Sequence, residues 1–289
     1  ASDVYKRQGN ANVSEAKRGS YKMEKNGKTF IKGLVIGATM TVPGVSGGSM
    51  AMVLGIYDRL LKHVSEITKY PKESLTFLLW FAAGAGSGAF LFSRGISWLL
   101  TTRAEGILCF FFLGAVSGGI PMILKSASVS RIRGREMICI LTGILTALLI
   151  ALIPQGIFAP GTENTPMHLL FQLAGGFIIA VALVLPGISA SQMLYMLGIY
   201  ESTLKAISSL DILALLPLAV GGILGTYLTA HILEQLIKKH REDTFLMILG
   251  FMLASLPELL PGHLAQENLL FCVMALAAGF IGVYFVTLK

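Results

Sequence analysis

The chain has 289 residues, of which 54% are hydrophobic and only 13% are charged. Soluble domains carry about 25% charged residues, so this chain has too few polar side chains to cover a surface that faces water. The composition excludes a disordered chain and argues against an ordinary soluble enzyme. The expected fold class is an all-α protein that crosses a lipid membrane several times.

The formal net charge of +7 is concentrated at the amino terminus, because residues 1–32 hold eight Lys or Arg and three Asp or Glu. A basic segment before the first apolar run is typical of a cytoplasmic tail near anionic lipid, and no nucleic-acid partner is expected. We therefore predict a cytoplasmic tail at residues 1–29. The opening residues resemble translated sequencing-adaptor sequence, so residues 1–22 are an expected artefact and Met23 is a candidate start.

Two long apolar segments, 30–61 and 170–204, are each interrupted by a Pro-Gly pair, Pro43-Gly44 and Pro186-Gly187. Each segment is too long for one crossing and too short for two comfortable ones. The other uncharged runs have the length of single crossings. They lie near residues 76–99, 106–124, 137–153, 212–235, 245–260 and 269–288.

The charges in the loops predict how the chain passes through the membrane. The loops that contain several Lys or Arg fall on the side of the basic tail only if both interrupted segments return to the side they enter from. We therefore predict six crossings and two re-entrant hairpins, while two very short crossings per segment would give the same sidedness. The basic loops are 62–75, 125–136 and 237–244, and the loops without Lys or Arg are 154–169 and 261–268.

The two interrupted segments contain a repeated sequence. Residues 43–62 and 186–205 match at an offset of 143 with ten of 20 positions identical, and both copies contain Pro-Gly-x-Ser and then Leu-Gly-Ile-Tyr-acid. We predict two repeats, 30–153 and 170–289, each with one hairpin and three crossings. Because three is odd, the second repeat begins on the opposite face, and the repeats are inverted as in many secondary transporters.

The two Pro-Gly breaks are expected to meet inside the membrane, because interrupted backbone survives in hydrocarbon only within protein or beside a wet cavity. The half-helices Ser46–Tyr57 and Ser189–Tyr200 would then point their amino ends inward, where free N–H groups and partial positive charge suit a phosphate group. In the alternative reading, the serines only cap their own half-helices. The expected head-group site comprises Pro43, Gly44, Ser46, Gly47, Gly48, Ser49, Pro186, Gly187, Ser189, Ser191 and Gln192.

Ionisable residues inside the predicted crossings extend this site. Arg94 and His231 are related by the repeat at an offset of 137, and one basic group in each half suits a phosphate that passes through. Snorkelling of Arg94 to the interface and simple packing of His231 are the alternatives. Glu234, which shares a helix face with His231, and Glu258 are candidates for coupling transport to protons or ions.

The remaining residues that carry chemistry are assigned to packing or solvent. Tyr57 and Tyr200 are expected to anchor at membrane interfaces, and His63 is expected to be solvated. The three cysteines stand alone in apolar runs, which disfavours both disulfides and zinc sites. The sequence contains no recognisable catalytic or nucleotide-binding motif, so we expect no enzyme activity, no cofactor and no metal.

Two stretches carry a family resemblance, Val42-Pro-Gly-Val-Ser-Gly-Gly-Ser-Met and Leu185-Pro-Gly-Ile-Ser-Ala-Ser, each followed by Leu-Gly-Ile-Tyr-acid. With them the chain resembles the bacterial polyprenyl-phosphate transporter family over about residues 28–289. The resemblance implies a translocase that returns undecaprenyl phosphate, the lipid carrier of cell-wall synthesis, from the outer to the cytoplasmic leaflet of the cytoplasmic membrane. Relatives often have Asn or Asp and a second Gly where this chain has Met40 and Ala190.

Four classes of function differ in how well they explain these features. A lipid-phosphate flippase, with polyprenyl phosphate and membrane lipids as partners and proton or sodium coupling, explains why a phosphate needs donors inside hydrocarbon. A transporter of a small soluble anion or ion is the main alternative. A lateral opening to lipid beside the motif favours the first, and a closed aqueous vestibule favours the second. A membrane enzyme would need a catalytic cluster, and a scaffold would leave both Pro-Gly breaks unexplained.

Overall fold

The computed structural model describes residues 26–42, 45–100, 105–129, 132–153, 166–188, 190–209, 211–260 and 269–288. Helices make up nearly all of this part of the chain. The first half holds α1 (26–39), α2 (Gly47–Val53), α3 (Tyr57–Ser65), α4 (Pro71–Leu100), α5 (Glu105–Gly118), α6 (Ile120–Ala127) and α7 (Gly134–Ala151). The second half holds α8 (Pro166–Val184), α9 (Ala190–Met196), α10 (Tyr200–Ser208), α11 (Ile212–Lys239), α12 (Arg241–Ser255), a 3₁₀ turn (Leu256–Leu259) and α13 (Leu269–Leu288).

Four helical segments among the described residues are long and apolar enough to cross a membrane: α4, α5 with α6, α7 and α11. Their outer surfaces expose large apolar side chains, such as Phe90 and Leu213, both 82% exposed. Exposure of such side chains to water is unfavourable in free energy, whereas contact with lipid is favourable. The chain is therefore an α-helical membrane protein. The crossings predicted near 245–260 and 269–288 coincide with α12 and its 3₁₀ turn and with α13, and as crossings they stay predictions.

The two halves have the same order of elements, namely one helix, two short helices and three longer helical segments. Equivalent helices also pack alike. Gly84 brings α4 against the backbone of α1, and Gly221 brings α11 against the backbone of α8. Gly114 brings α5 against α13, and Gly250 brings α12 against α7. The glycines thus allow close packing of helices, as expected in membranes. The last helix of each half packs against the other half, since α7 contacts α12 and α13 contacts α5.

The sequence Leu-Gly-Ile-Tyr ends one short helix in each half. Gly55 and Gly198 have φ angles of 62° and 68°, a left-handed conformation that glycine adopts without strain. The Ile56 N–H then donates to the Ala51 carbonyl at 3.0 Å, and the equivalent bond in the second half is 3.1 Å. This is the hydrogen-bond pattern of a Schellman motif.

The tyrosines of these motifs begin new helices, since Tyr57 is the first residue of α3 and Tyr200 the first of α10. The prediction that each half-helix continues to its tyrosine is therefore wrong. A glycine in the left-handed region interrupts the right-handed hydrogen-bond ladder, and the chain starts a second helix in a new direction.

The three basic loops meet at one end of the molecule. Arg135 at the start of α7 pairs with Asp243 at the start of α12, with an N–O distance of 2.8 Å. Arg241 donates through Nε to the Ser126 carbonyl at the end of α6, at 2.7 Å, and lies 3.8 Å from the Asp58 carboxylate on α3. We call this region, made of α3 and these helix ends, the first-motif end.

The start of α1 also lies at the first-motif end. The Lys32 ammonium donates to the Leu54 carbonyl at 2.6 Å, so the beginning of the first interrupted segment lies beside the end of α2. The chain therefore reverses its direction between α1 and α3.

Candidate functional site

The first motif lies directly on the second Pro-Gly break. A Cβ added to Gly48 would lie 3.0 Å from the Pro186 Cα and 3.1 Å from its nitrogen, which is tighter than ordinary side-chain contact. Pro186 itself is fully buried. Pro43 and Gly44 lie outside the described residues, so the observed junction is between α2 and the second break.

Tyr57 joins the first half to the second break through a hydrogen bond. Its hydroxyl donates to the Val184 carbonyl at 2.7 Å, and the side chain is only 5% exposed. The Val184 carbonyl ends α8, where the break leaves it without a helical N–H partner. The prediction that Tyr57 anchors at a membrane interface is wrong, because the side chain satisfies a buried carbonyl inside the protein.

Two buried serines lie at the start of α2, Ser46 just before the helix and Ser49 inside it. Neither side chain caps the helix. Ser46 is the residue before α2, with extended backbone, and its hydroxyl makes no capping bond. Ser49 is 2% exposed, and its Oγ has no hydrogen-bond partner among the described residues. A buried hydroxyl without a partner costs about 1–3 kcal/mol. The capping alternative is therefore not realised at Ser46, and Ser49 offers a free donor beside the break.

The second break lines a small cavity with a carboxylate. Gly187 has a φ angle of 84° and contacts the backbone of Phe251 on α12. A cavity of about 20 Å³ is bounded by Gly187, Ile188, Ser255 and Glu258, among others. Of the two glutamates suggested for ion coupling, Glu258 is therefore the one beside a Pro-Gly break.

A larger apolar groove adjoins this small cavity. It has a volume of about 270 Å³ and shares Ile150, Ile188 and Met193 with the cavity that holds Glu258. Side chains of α7, α8 and α9 form its walls, and Ile153 and Ile178 on its rim are 40% and 36% exposed. The groove is thus open at the apolar outer surface of the helices and leads towards the second break.

The structure describes some residues of the predicted head-group site and leaves others out. Gly47 begins α2, and a Cβ there would lie 2.7 Å from the Met40 sulfur, so Met40 packs against the start of α2. Ala190 begins α9. The residues outside the described set are Pro43, Gly44 and Ser189, together with the side chains of Arg94, Ser191 and Gln192.

His231 and Glu234 lie at the first-motif end and make their described contacts there. The His231 ring stacks on Tyr227 with centroids 6.1 Å apart, its Nε2 lies 2.9 Å from the Gln235 amide nitrogen, and its buried Nδ1 has no partner among the described residues. Glu234 accepts a hydrogen bond from Ser65 of α3 and pairs with Lys238 at 2.7 Å. Glu234 therefore ties α3 to α11.

Arg59 has no predicted role, yet its guanidinium is partly buried and lies against an aromatic ring. Its Nη2 atom is buried and has no hydrogen-bond partner among the described residues. Its guanidinium lies 4.8 Å from the centre of the Phe77 ring. His63, which we expected to be solvated, stacks on the same ring at 4.2 Å and lies within α3. The only sequence signal was the basic residue two positions after Tyr57, where the second motif has Ser202.

Comparison with known proteins identifies the family of this chain. The chain is 31% identical over 252 residues to the polyprenyl-phosphate transporter of Vibrio cholerae serotype O1, covering 81% of this chain and 77% of that protein. It is 29% identical over 264 residues to the polyprenyl-phosphate transporter of Staphylococcus aureus strain NCTC 8325, covering 88% and 92%. No solved structure matches the chain. Residues 36–270 match the model of one family, and the chain belongs to that family, the VCA0040-like, undecaprenyl phosphate translocase-like proteins.

Proposed function

We propose that this chain is a flippase for a polyprenyl phosphate such as undecaprenyl phosphate, and that it recycles this lipid carrier across the bacterial cytoplasmic membrane without catalysing a reaction. The observation that carries the proposal is the buried junction of α2 with the second break, next to a groove open at the lipid-facing surface. Both relatives named above are polyprenyl-phosphate transporters, which supports the same substrate class.

The head group is held at the junction of the two motifs. Ser49 supplies a buried hydroxyl that has no partner among the described residues, and Gly47 and Gly48 place the free backbone N–H groups of a helix start at the junction. Donors that are already in place offset the cost of taking a phosphate out of water. Pro43, Gly44, Ser46, Pro186, Gly187, Ser189, Ser191, Gln192, Arg94 and His231 complete the proposed set.

The prenyl tail remains in lipid and passes along the apolar groove between α7, α8 and α9. The groove begins at the outer surface and ends at Ile188 and Met193, beside the second break. A lipid whose head is inside the protein needs such a lateral opening, whereas a small soluble anion does not. The groove therefore favours the lipid over the soluble anion.

The halves act as inverted repeats with re-entrant hairpins at 30–61 and 170–204. The bond between Lys32 and Leu54 supports the first hairpin, because it joins the two ends of that segment. The clustering of the three basic loops at the first-motif end supports a cytoplasmic location for this end and for the amino terminus. Inverted repeats allow the same fold to open to either side.

Glu258 is the proposed group for proton coupling. An ionised carboxylate near the second break would repel a phosphate, so binding of the head group favours the protonated acid. Transport of one phosphate then carries one proton. Glu234 is the second group suggested for coupling. Its hydrogen bond with Ser65 and its ion pair with Lys238 also give it a structural role, because the bond with Ser65 joins α3 to α11.

The proposal is tested by leaflet exchange of a fluorescent polyprenyl phosphate in vesicles that contain the purified full chain, with and without a proton or sodium gradient. Ser49→Ala is the sharpest variant. Because it removes a buried unpartnered hydroxyl, it should leave thermal stability unchanged or raised, and it should slow exchange about tenfold. Ser209→Ala is the matched control, since the Ser209 hydroxyl is exposed, follows the end of α10 and donates to the Lys205 carbonyl of that helix.

The outcome of this assay separates the candidate functions. Exchange of the labelled lipid by the wild-type protein, slowed by Ser49→Ala and not by Ser209→Ala, supports the flippase. Uptake of inorganic phosphate without lipid exchange would instead establish the transporter of a small soluble anion. Loss of stability in Ser49→Ala would mean that this hydroxyl has a structural role.

A further inference from the structure

We propose a second phosphate-binding site at the first-motif end, in a cavity between α3 and the start of α4 that contains Arg59. The cavity has a volume of about 420 Å³, and Arg59, Lys62 and His63 of α3 and Ser74 of α4 line it. It is separate from the junction at Ser49 and Pro186. The ligand class is a phosphomonoester, which offers several acceptor oxygens to basic donors.

The Arg59 guanidinium is held in place but is not satisfied. The Phe77 ring lies 4.8 Å from it and fixes its plane. Its buried Nη2 has no hydrogen-bond partner among the described residues. Leaving a buried charged donor without an acceptor is costly, and arginine presents a fork that matches phosphate oxygens. The geometry therefore calls for an acceptor inside this cavity.

A second basic group lies close to Arg59. Lys32 of α1 is near enough to repel Arg59 electrostatically, while its ammonium donates to the Leu54 carbonyl. Two like charges in a partly buried place destabilise each other unless an anion lies nearby. A phosphate beside Arg59 would relieve this repulsion.

Two further side chains that line the cavity suit the same ligand, His63 on α3 beside Arg59 and Ser74 on α4. The Ser74 hydroxyl lies 3.4 Å from Nδ1 of His63, and Ser74 is almost fully buried. His63 is fixed by stacking on the Phe77 ring at 4.2 Å. The cavity thus holds a guanidinium, an imidazole and a hydroxyl around one space.

Two acids also line the cavity, and they are partly balanced. Glu66 interacts electrostatically with Lys238 at the end of α11, and Glu73 lies in the first turn of α4. Lys62 lines the same cavity as both acids. The walls thus carry two cations, Arg59 and Lys62, and two carboxylates. Lys32 lies outside the walls but adds a third positive charge near Arg59, so the positive charge is concentrated on the Arg59 side of the cavity.

A phosphate at this position is either the head group of a transported lipid at the cytoplasmic leaflet or a free phosphate from the cytoplasm. The lipid source rests on the proposed flippase function, whereas the site itself does not. A head group that leaves the motif junction towards this end would next meet Arg59, which lies two residues after Tyr57 on α3.

The test measures ligand-dependent thermal stability of the purified full chain in detergent. The probes are farnesyl phosphate, farnesol and inorganic phosphate, titrated against the wild type, Arg59→Gln and Arg59→Lys. We expect Arg59→Gln to weaken phosphate binding about tenfold or more, as for loss of a charge-assisted bond, and Arg59→Lys to restore part of it. Lys69→Gln is the matched control, because it removes one exposed charge from the same face outside the cavity.

Each outcome has one meaning. Weakened binding of farnesyl phosphate alone in Arg59→Gln identifies a lipid head group, and equally weakened binding of inorganic phosphate identifies a free phosphate. Unchanged binding in Arg59→Gln, or equal weakening in Lys69→Gln, overturns the site. Repeating the titration in Ser49→Ala separates this site from the motif junction. Binding that depends on Arg59 in a protein without leaflet exchange would retain the site and reject the flippase.

Discussion

The two motif regions have nearly the same sequence, yet they are held in different ways. Helix α3 of the first half packs along α11 of the second half, and Ser65 of α3 donates to Glu234 of α11. The repeat relates these helices to α10 of the second half and α4 of the first half, and no extensive packing joins α10 and α4 among the described residues. The duplicated backbone is therefore closed at one end and not at the other.

The sequence supplies a physical reason for this difference. At the first-motif end, Asp58 on α3 faces Arg241 at the start of α12, with a distance of 3.8 Å. By the repeat offsets, the corresponding residues of the other pair are Glu201 and Glu105, which are both acidic. Opposite charges attract at the first pair, whereas the second pair of sequence positions carries two charges of the same sign. The difference teaches that two nearly identical motifs can differ in the charges around them, and we predict that these charges bias which end closes.

The largest effect is expected from Arg241→Glu, which breaks the closed end. It removes the bond to the Ser126 carbonyl and turns the attraction to Asp58 into repulsion. A bond to a charged group contributes about 1.5–3 kcal/mol, and the exposed ion pair adds less than about 1 kcal/mol. Hydrogen exchange should accelerate in α3. The charge swap of Asp58→Arg with Arg241→Glu should restore only the part of the protection that the ion pair supplies, because the bond to the Ser126 carbonyl stays broken. Unchanged exchange in the single variant would show that this contact does not close the end.

Tyr57→Phe should have the next largest effect, because it weakens the link from α3 to the second break. The change leaves the buried Val184 carbonyl without its donor. We expect the thermal stability of the purified chain to fall by about 1–3 kcal/mol. Tyr70→Phe is the control, since the Tyr70 side chain is exposed. Equal melting temperatures for Tyr57→Phe and the wild type would contradict the assignment.

Glu234→Gln sharpens the comparison with a smaller change. The amide can still accept the hydrogen bond of Ser65, but the ion pair with Lys238 is lost. Because Lys238 is mostly exposed, we expect a loss of about 1 kcal/mol or less in the protection of α3 and α11. A double-mutant cycle of Glu234→Ala with Ser65→Ala measures the coupling of Ser65 and Glu234, because Glu234→Ala removes the hydrogen bond that Glu234→Gln keeps. Additive effects would mean that the two side chains do not interact.

The smallest effect is expected from Glu105→Arg, which gives the second pair the charges of the first. Even a favourable surface ion pair contributes less than about 1 kcal/mol, so the change should shift a population and not stability. Distances between spin labels on α10 and α4 should shorten. Glu105→Gln, which removes only repulsion, should shorten them less. Identical distance distributions in all three proteins would refute the role of these charges.

Much of the fold followed from patterns along the chain. The Pro-Gly repeat predicted the duplicated order of elements, because the same helix-breaking residues recur in both copies. The length of the half-helices was misjudged at Tyr57 and Tyr200. Leu-Gly-Ile-Tyr reads as continuous apolar helix unless the left-handed conformation of its glycine is recognised.

The sequence by itself determined the membrane class, the duplication and the motif that marks the family, since composition and repeats are properties of the chain alone. Only the tertiary structure decided that Gly48 lies on Pro186, that the Tyr57 hydroxyl reaches Val184 and that the Nη2 of Arg59 is buried without a hydrogen-bond partner among the described residues. These relations join residues that are distant in sequence or depend on burial. They therefore arise only when the helices pack, because packing sets which polar groups lose water and which find a partner.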